Sequence, residues 1–281
     1  MGKSKITFNG GMTIDYIHIE DTTANEEKSL TSKYTPVFNH NTALLVTFAD
    51  GYGGVGMIGN LEGYIYTIYR EDVTSGTTME YVGTITNGDL TITDYNITNH
   101  HQYQYLIFVE TADYICTPQE TDPINTCWDN WIMVGLKETE NKNIFVVDTN
   151  NIWKLNLSLE SGEQTQNIDR TEYKNLTRYP KISQGRSNYI SGSLSCLLGD
   201  ITNLGNYQED YKILENWRNF IDNSGLKLLK DRKGRKYIVQ TISSSNKTKD
   251  ETQEQMNIIN FSWIELRDTE DAVMTESGGE N

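Results

Sequence analysis

Short runs of β-branched and aromatic residues recur along this chain, divided by polar and glycine-bearing turns, and a helical period surfaces only once. That spacing constrains the fold more than any other feature. A segment that alternates apolar and polar residues belongs in a sheet with one face covered. Many such segments in succession need a sandwich, a barrel, or a sheet backed by a helix. The N-terminal runs fall at residues 6–8, 13–19, 43–48, 64–69, 80–85, 90–92, 103–110, 131–136 and 144–147. Asn87-Gly88 lies between two of them, and both residues tolerate positive φ, which predicts a tight hairpin turn. Strands at these intervals, with no helix between them, predict an antiparallel β-sandwich.

The C-terminal half departs from this pattern. Residues 153–159 and 189–198 read as strands. Asn206 and Glu209 have the spacing of a reciprocal helix cap. Tyr207, Tyr211, Leu214, Trp217 or Arg218, and Ile221 then share one helical face, and Gly225 supplies the stop. Strands at 226–230 and 236–242 flank a turn at 231–234, and a polar tip over 243–255 leads to a last strand at 256–266. One helix among antiparallel strands predicts an α+β domain.

The chain of 281 residues is long enough for two domains, each able to bury a core without metal or disulfide. Charge places the boundary. Residues 1–150 hold 7 Lys+Arg against 20 Asp+Glu, whereas residues 151–267 hold 17 against 14. Residues 268–281 hold 5 acids and no base, and read as an acidic flexible tail. The expected fold is thus mainly β with one helix: a sandwich domain over 1–150, an α+β domain over 151–267, and the tail. The net charge of −15 argues against nucleic-acid specificity. Cys116, Cys127 and Cys196 form no disulfide framework. The N-terminus lacks a secretory signal, and no apolar run is long enough to span a membrane.

Each candidate for chemistry has a plainer explanation. Gly51-Tyr52-Gly53-Gly54-Val55-Gly56 is a literal dinucleotide fingerprint, with Glu71 and Asp72 about 20 residues on. Its mechanism needs a helix N-terminus facing the pyrophosphate. Gly59 and Gly63 break any helix here, so the segment reads as a glycine loop. His100 and His101 are adjacent, and adjacent strand residues face opposite ways, while His18 and His40 have no ligands at metal spacing. Ser193 and Ser195 lack the nucleophile elbow, and Cys196 sits in an apolar strand. No catalytic, cofactor or metal residues are assigned, and a non-enzymatic role is expected. One cluster stands out: Lys230, Arg232, Lys233, Arg235 and Lys236, with Lys227, surround the single acid Asp231. It reads either as a charged, water-facing hairpin that protects a sheet edge or as a contact for an acidic subunit surface.

Two resemblances follow from these residues. Leu44-Leu45-Val46-Thr47-Phe48, Tyr64-Ile65-Tyr66-Thr67-Ile68-Tyr69-Arg70, Leu90-Thr91-Ile92-Thr93-Asp94-Tyr95 and Tyr103-Gln104-Tyr105-Leu106-Ile107-Phe108 resemble fibronectin type III or immunoglobulin-like strands, with Tyr103 as the corner tyrosine. The polar insertion over 111–130, which carries Pro118 and Pro123, departs from that pattern. Over residues 150–267, Arg178-Tyr179-Pro180-Lys181-Ile182, Ser187-Asn188-Tyr189-Ile190-Ser191-Gly192-Ser193, Trp217-Arg218-Asn219-Phe220-Ile221, the run from Leu226 to Val239, and Phe261-Ser262-Trp263 resemble the distal-tail and minor tail proteins of bacteriophages.

The second resemblance implies a tail-tube-like sandwich or barrel with one flanking helix. It implies closure into a ring, usually six-fold, through intersubunit sheets and a long hairpin. It further implies a structural tail or baseplate protein of a virion, made in a bacterial cytoplasm, whose partners are other tail proteins and copies of itself. The sandwich-first order departs from distal-tail proteins, which leaves the position in the tail open. The alternative is a cell-surface adhesion or carbohydrate-binding module using Trp128 and Trp131.

Overall fold

The computed structural model describes residues 34–38, 44–48, 65–77, 79–86, 91–110, 119–141, 143–155, 157–173, 181–198, 207–250, 253–270 and 272–276. Among them are seventeen strands and one helix, so the protein is mainly β with a single helix, as its periodicity predicts. The glycine loop at 51–56, the Asn87-Gly88 turn, the Asn206 cap and residues 277–281 lie outside the described residues.

The chain divides into two units. The first is drawn from residues up to 128, from 139–147 and from 271 onward; the second comprises 129–138 and 148–270. The expected division at residue 150 gives way to a discontinuous one. Charge reports which side chains meet solvent, and strand pairing does not follow it.

In the first unit, β1 (Tyr34–Phe38), β2 (Leu44–Phe48) and β5 (Thr91–Asp94) form an antiparallel sheet in the order β1-β2-β5. A second sheet contains β3 (Ile65–Asp72), β4 (Glu80–Thr86), β6 (Gln102–Glu110) and β7 (Gln119–Glu120) in the order β4-β3-β6-β7, and β8 (Ile124–Asn125) also pairs with β6. Alternation decides which side chains go inside. Tyr66, Ile68 and Arg70 are buried along β3, and their cross-strand partners Ile107 and Tyr105 are buried on β6. Leu106 and Phe108 are buried too, so β6 is covered on both faces.

Arg70 is a charge on the inward face of a strand, and it needs partners there. Its guanidinium bonds Glu80 and donates to both oxygens of Asp94, which also accepts from the Tyr105 hydroxyl at 2.9 Å. Burial would push the Asp94 carboxyl up; the Arg70 charge, its hydrogen bonds and those from Asn96 and Tyr105 outweigh it and hold the carboxyl below the usual range. The Tyr103 hydroxyl, at the start of β6, accepts the Thr98 N–H at 2.8 Å.

Two elements return to this unit late. The first residues of β10 (Ile144–Leu155) pair in parallel with β17 (Val273–Thr275). Ala272 and Met274 are buried, Asn96 Nδ2 donates to the Ala272 carbonyl at 2.9 Å, and the Tyr95 hydroxyl donates to Glu276 at 2.5 Å. Residues 272–276 are therefore packed, which corrects the expected flexible tail over this stretch. Acid-rich composition hid two apolar side chains at strand spacing.

The second unit is one large sheet backed by the helix. Its strands are β9 (Trp131–Glu138), the rest of β10, β11 (Leu157–Ser161), β12 (Thr165–Tyr173), β13 (Lys181–Leu198), β14 (Lys227–Lys230), β15 (Lys236–Asp250) and β16 (Gln253–Arg267). They run in the order β11-β13-β16-β15-β14-β9-β10, with β12 also pairing β13. Helix α1 (Tyr207–Asp222) buries Leu214, Trp217, Phe220 and Ile221, at the spacing of one helical face. That face packs with Leu194 and Cys196 of β13, Val239 of β15, and Ile259, Phe261 and Trp263 of β16. Each such side chain contributes about 1.5–3 kcal/mol. Tyr211, expected on this stripe, is exposed.

Candidate assembly surface

The strands of the second unit are much longer than its core. β13 has 18 residues, and β15 and β16 have 15 each, where a strand is commonly about 5–6. β16 pairs with β13 only between Ser191 and Leu198. Below that level, among the described residues, β13 has β12 alone, paired from Thr165↔Ser191 to Tyr173↔Lys181 with a register shift between Ile168 and Arg170. Among the described residues, no other strand pairs with 181–190 of β13, so this part is a two-stranded ribbon. The nine residues of β12 span about 30 Å at ~3.3 Å per residue.

Both faces of the ribbon meet solvent. Every described side chain from 169 to 173 and from 182 to 188 is exposed. Two are apolar: Ile182 is 67% exposed and Tyr173 53%. An isolated two-stranded ribbon is marginal in water, and its outer edges carry unpaired N–H and C=O groups. β15 behaves similarly where residues 242–246 are all exposed, including Ile242 at 63%.

The basic cluster is organised differently from expectation. Asp231 is fully buried, and its Oδ1 accepts the backbone N–H groups of Lys233 and Arg235, each at 2.8 Å. Its Oδ2 accepts Arg235 Nε at 2.6 Å. Gly234, at φ 86°, completes the turn in a region that L-residues rarely adopt. The acid thus shapes a turn that presents Arg232, Lys233 and Arg235 outward. Lys236 is half-buried and Lys230 is only 1% exposed, so these two do not share that outward surface. Lys227 is buried as well, and its Nζ donates to the carbonyls of Asn223 and Gly225.

Other candidates fall in ordinary places. His100 has φ 61° in a turn, and His101 Nδ1 lies 2.5 Å from Asp72 Oδ2. Burial raises the Asp72 carboxyl, but hydrogen bonds from His101 and Ser75 outweigh it and hold it below its ordinary value. Among the described residues, no group of three or more His, Cys, Asp or Glu could hold a metal ion. Cys196 is buried in the core, which pushes its thiol up to about 12, away from reactivity. Trp128 and Trp131 are 6% and 3% exposed, so neither offers a ring for stacking on a sugar.

The ribbon escaped the sequence reading. Thr165–Tyr173 has no alternating apolar face, and polar residues on both sides of a strand leave no period to detect. The chain matches no protein-family model and no curated protein sequence.

Proposed function

We propose that this protein is a structural, non-enzymatic subunit that assembles with copies of itself and with other subunits into a ring of a bacteriophage tail or baseplate. The observation that carries this reading is the β12–β13 ribbon. Among the described residues it extends past the sheet with no further strand on either edge, and Ile182 and Tyr173 are exposed. A neighbour's sheet would pair those edges and cover those side chains, and ring symmetry would supply that neighbour to every copy. The long β15–β16 pair and the single backing helix fit the tail-tube-like plan that the sequence resembles.

The first unit supports the rest of the reading. The orders β1-β2-β5 and β4-β3-β6-β7, with Tyr103 bonded back to Thr98, support reading this unit as a fibronectin type III-like module. Such a module would decorate the ring or meet another tail protein.

Negative-stain microscopy and light scattering of the full chain test this directly. Rings, or a defined oligomer that Ile182→Lys with Tyr173→Lys dissolves while circular dichroism stays unchanged, are expected. A strict monomer that never joins particles purified from its source would sink the proposal.

A further inference from the structure

A cleft of about 660 Å³ opens in the second unit between the C-terminal half of α1 and strands β9 and β10. That volume lies within the roughly 300–1,000 Å³ of small-molecule sites. The lining is unusual in kind. Asn216 and Asn219, three apart on the helix, and Asn223 just past its end line the cleft with Asn150 and Asn151 from β10. Asn151 is held in place, because its Nδ2 donates to Asp148 Oδ2 at 2.8 Å.

The apolar part of the cleft is built with equal definition. The Trp153 ring stacks on Phe220 at 5.9 Å and meets Trp217 edge-on at 5.2 Å. Its Nε1 is buried without a hydrogen-bond partner among the described residues. Gly135 lets the two walls approach: a Cβ there would stand 3.2 Å from Asp148 Cβ and 3.4 Å from Phe220 Cε2.

We infer that this cleft binds a neutral polyhydroxylated ligand, an oligosaccharide of uncharged sugars. Hydroxyl groups both donate and accept, and a side-chain amide offers both functions at one site. A carboxylate accepts from hydroxyls, and an indole covers the apolar C–H face of a sugar ring. An anion is disfavoured. The cleft borders the C-terminal end of α1, the negative end of its dipole. The Lys227 ammonium at its wall is committed to the carbonyls of Asn223 and Gly225.

The helix itself argues for selection at this face. Asn216 and Asn219 sit in its interior at exposed positions, where asparagine is a poorer helix former than Ala, Leu, Lys or Glu. Between its ends the same helix uses Lys212, Glu215 and Arg218 at other exposed positions, with Tyr211 and Asp222 exposed toward its two ends. A local preference broken on one side of an element is where a functional demand is expected. None of this rests on ring assembly, since the cleft lies within one unit of one chain.

The test titrates the full chain with maltotriose, with triacetylchitotriose and with inorganic phosphate, read by calorimetry and tryptophan fluorescence. Saturable binding of at least one trisaccharide and none of phosphate is expected. Asn219→Ala and Asn150→Ala, both at exposed positions, should each weaken binding about fivefold with unchanged circular dichroism. Lys233→Glu, on the basic turn, should leave binding unchanged. Saturable binding by neither trisaccharide at millimolar concentration, affinity unaltered in both asparagine variants, or phosphate competing for the cleft would each overturn the inference.

Discussion

Gly192 and Trp263 are partners across β13 and β16, and the indole lies over the glycine, with its Cζ2 2.8 Å from where a Cβ would stand. The ring also packs against Tyr237 at 5.1 Å inside the core of the second unit. Any side chain at 192 must displace a fully buried tryptophan. Gly192→Val should therefore cost about 1–3 kcal/mol, the range for overpacking a filled core. Urea unfolding of the full chain, followed by tryptophan fluorescence, would read it. A variant as stable as the parent would mean that the ring yields freely.

The Arg70–Asp94 pair sets the acid limit of the first unit. The folded carboxyl of Asp94 lies below its unfolded value, so its contribution is complete above about pH 4, the unfolded range. It is lost as pH falls through the lower, folded pKa. Asp72 adds in the same direction. Asp94→Asn should cost about 3–5 kcal/mol at neutral pH, because it leaves the buried Arg70 charge partly uncompensated. It should also flatten the loss of stability below pH 4. Thermal melts of both proteins from pH 7 to pH 2 would check both outcomes.

Asp231 and the lysines around it should respond in opposite ways. Asp231→Ala removes an acceptor of three hydrogen bonds and should lower stability by about 2 kcal/mol. Lys233→Glu, exposed on the same turn, should stay within about 0.5 kcal/mol. Equal effects from the two substitutions, measured in denaturant, would show that the acid does not organise the turn.

Removal of residues from 272 onward should destabilise the first unit while leaving the second folded. The cut deletes the parallel pairing to β10, two buried side chains, and the bonds to Asn96 and Tyr95. Hydrogen exchange would localise the effect, with lost protection expected at 144–146 and 95–98 and retained protection in β14 and β16. Uniform loss across both units would contradict their separate cores.

What was legible in the sequence follows one rule. Strands with one covered face, such as Ile65–Asp72, announce themselves by alternation. The helix does so through Leu214, Trp217 and Ile221. Tyr103 was singled out within a strand pattern, and its bond to Thr98 is local, five residues back. Thr165–Tyr173 and residues 243–246 of β15 were invisible because water meets both their faces. The Arg70–Asp94 pair and the asparagine-lined cleft join residues far apart in the chain, and composition carries no record of such meetings. Asn216 and Asn219 did leave a trace, as poor helix formers inside an otherwise well-formed helix.

The place of β17 has a consequence in time. A ribosome delivers Val273–Thr275 only after the whole of the second unit has emerged, yet these residues complete the parallel edge of the first. The first unit therefore cannot close that edge until the polypeptide of the second has been made. The unit begun first is thereby the last whose strands are all available for pairing.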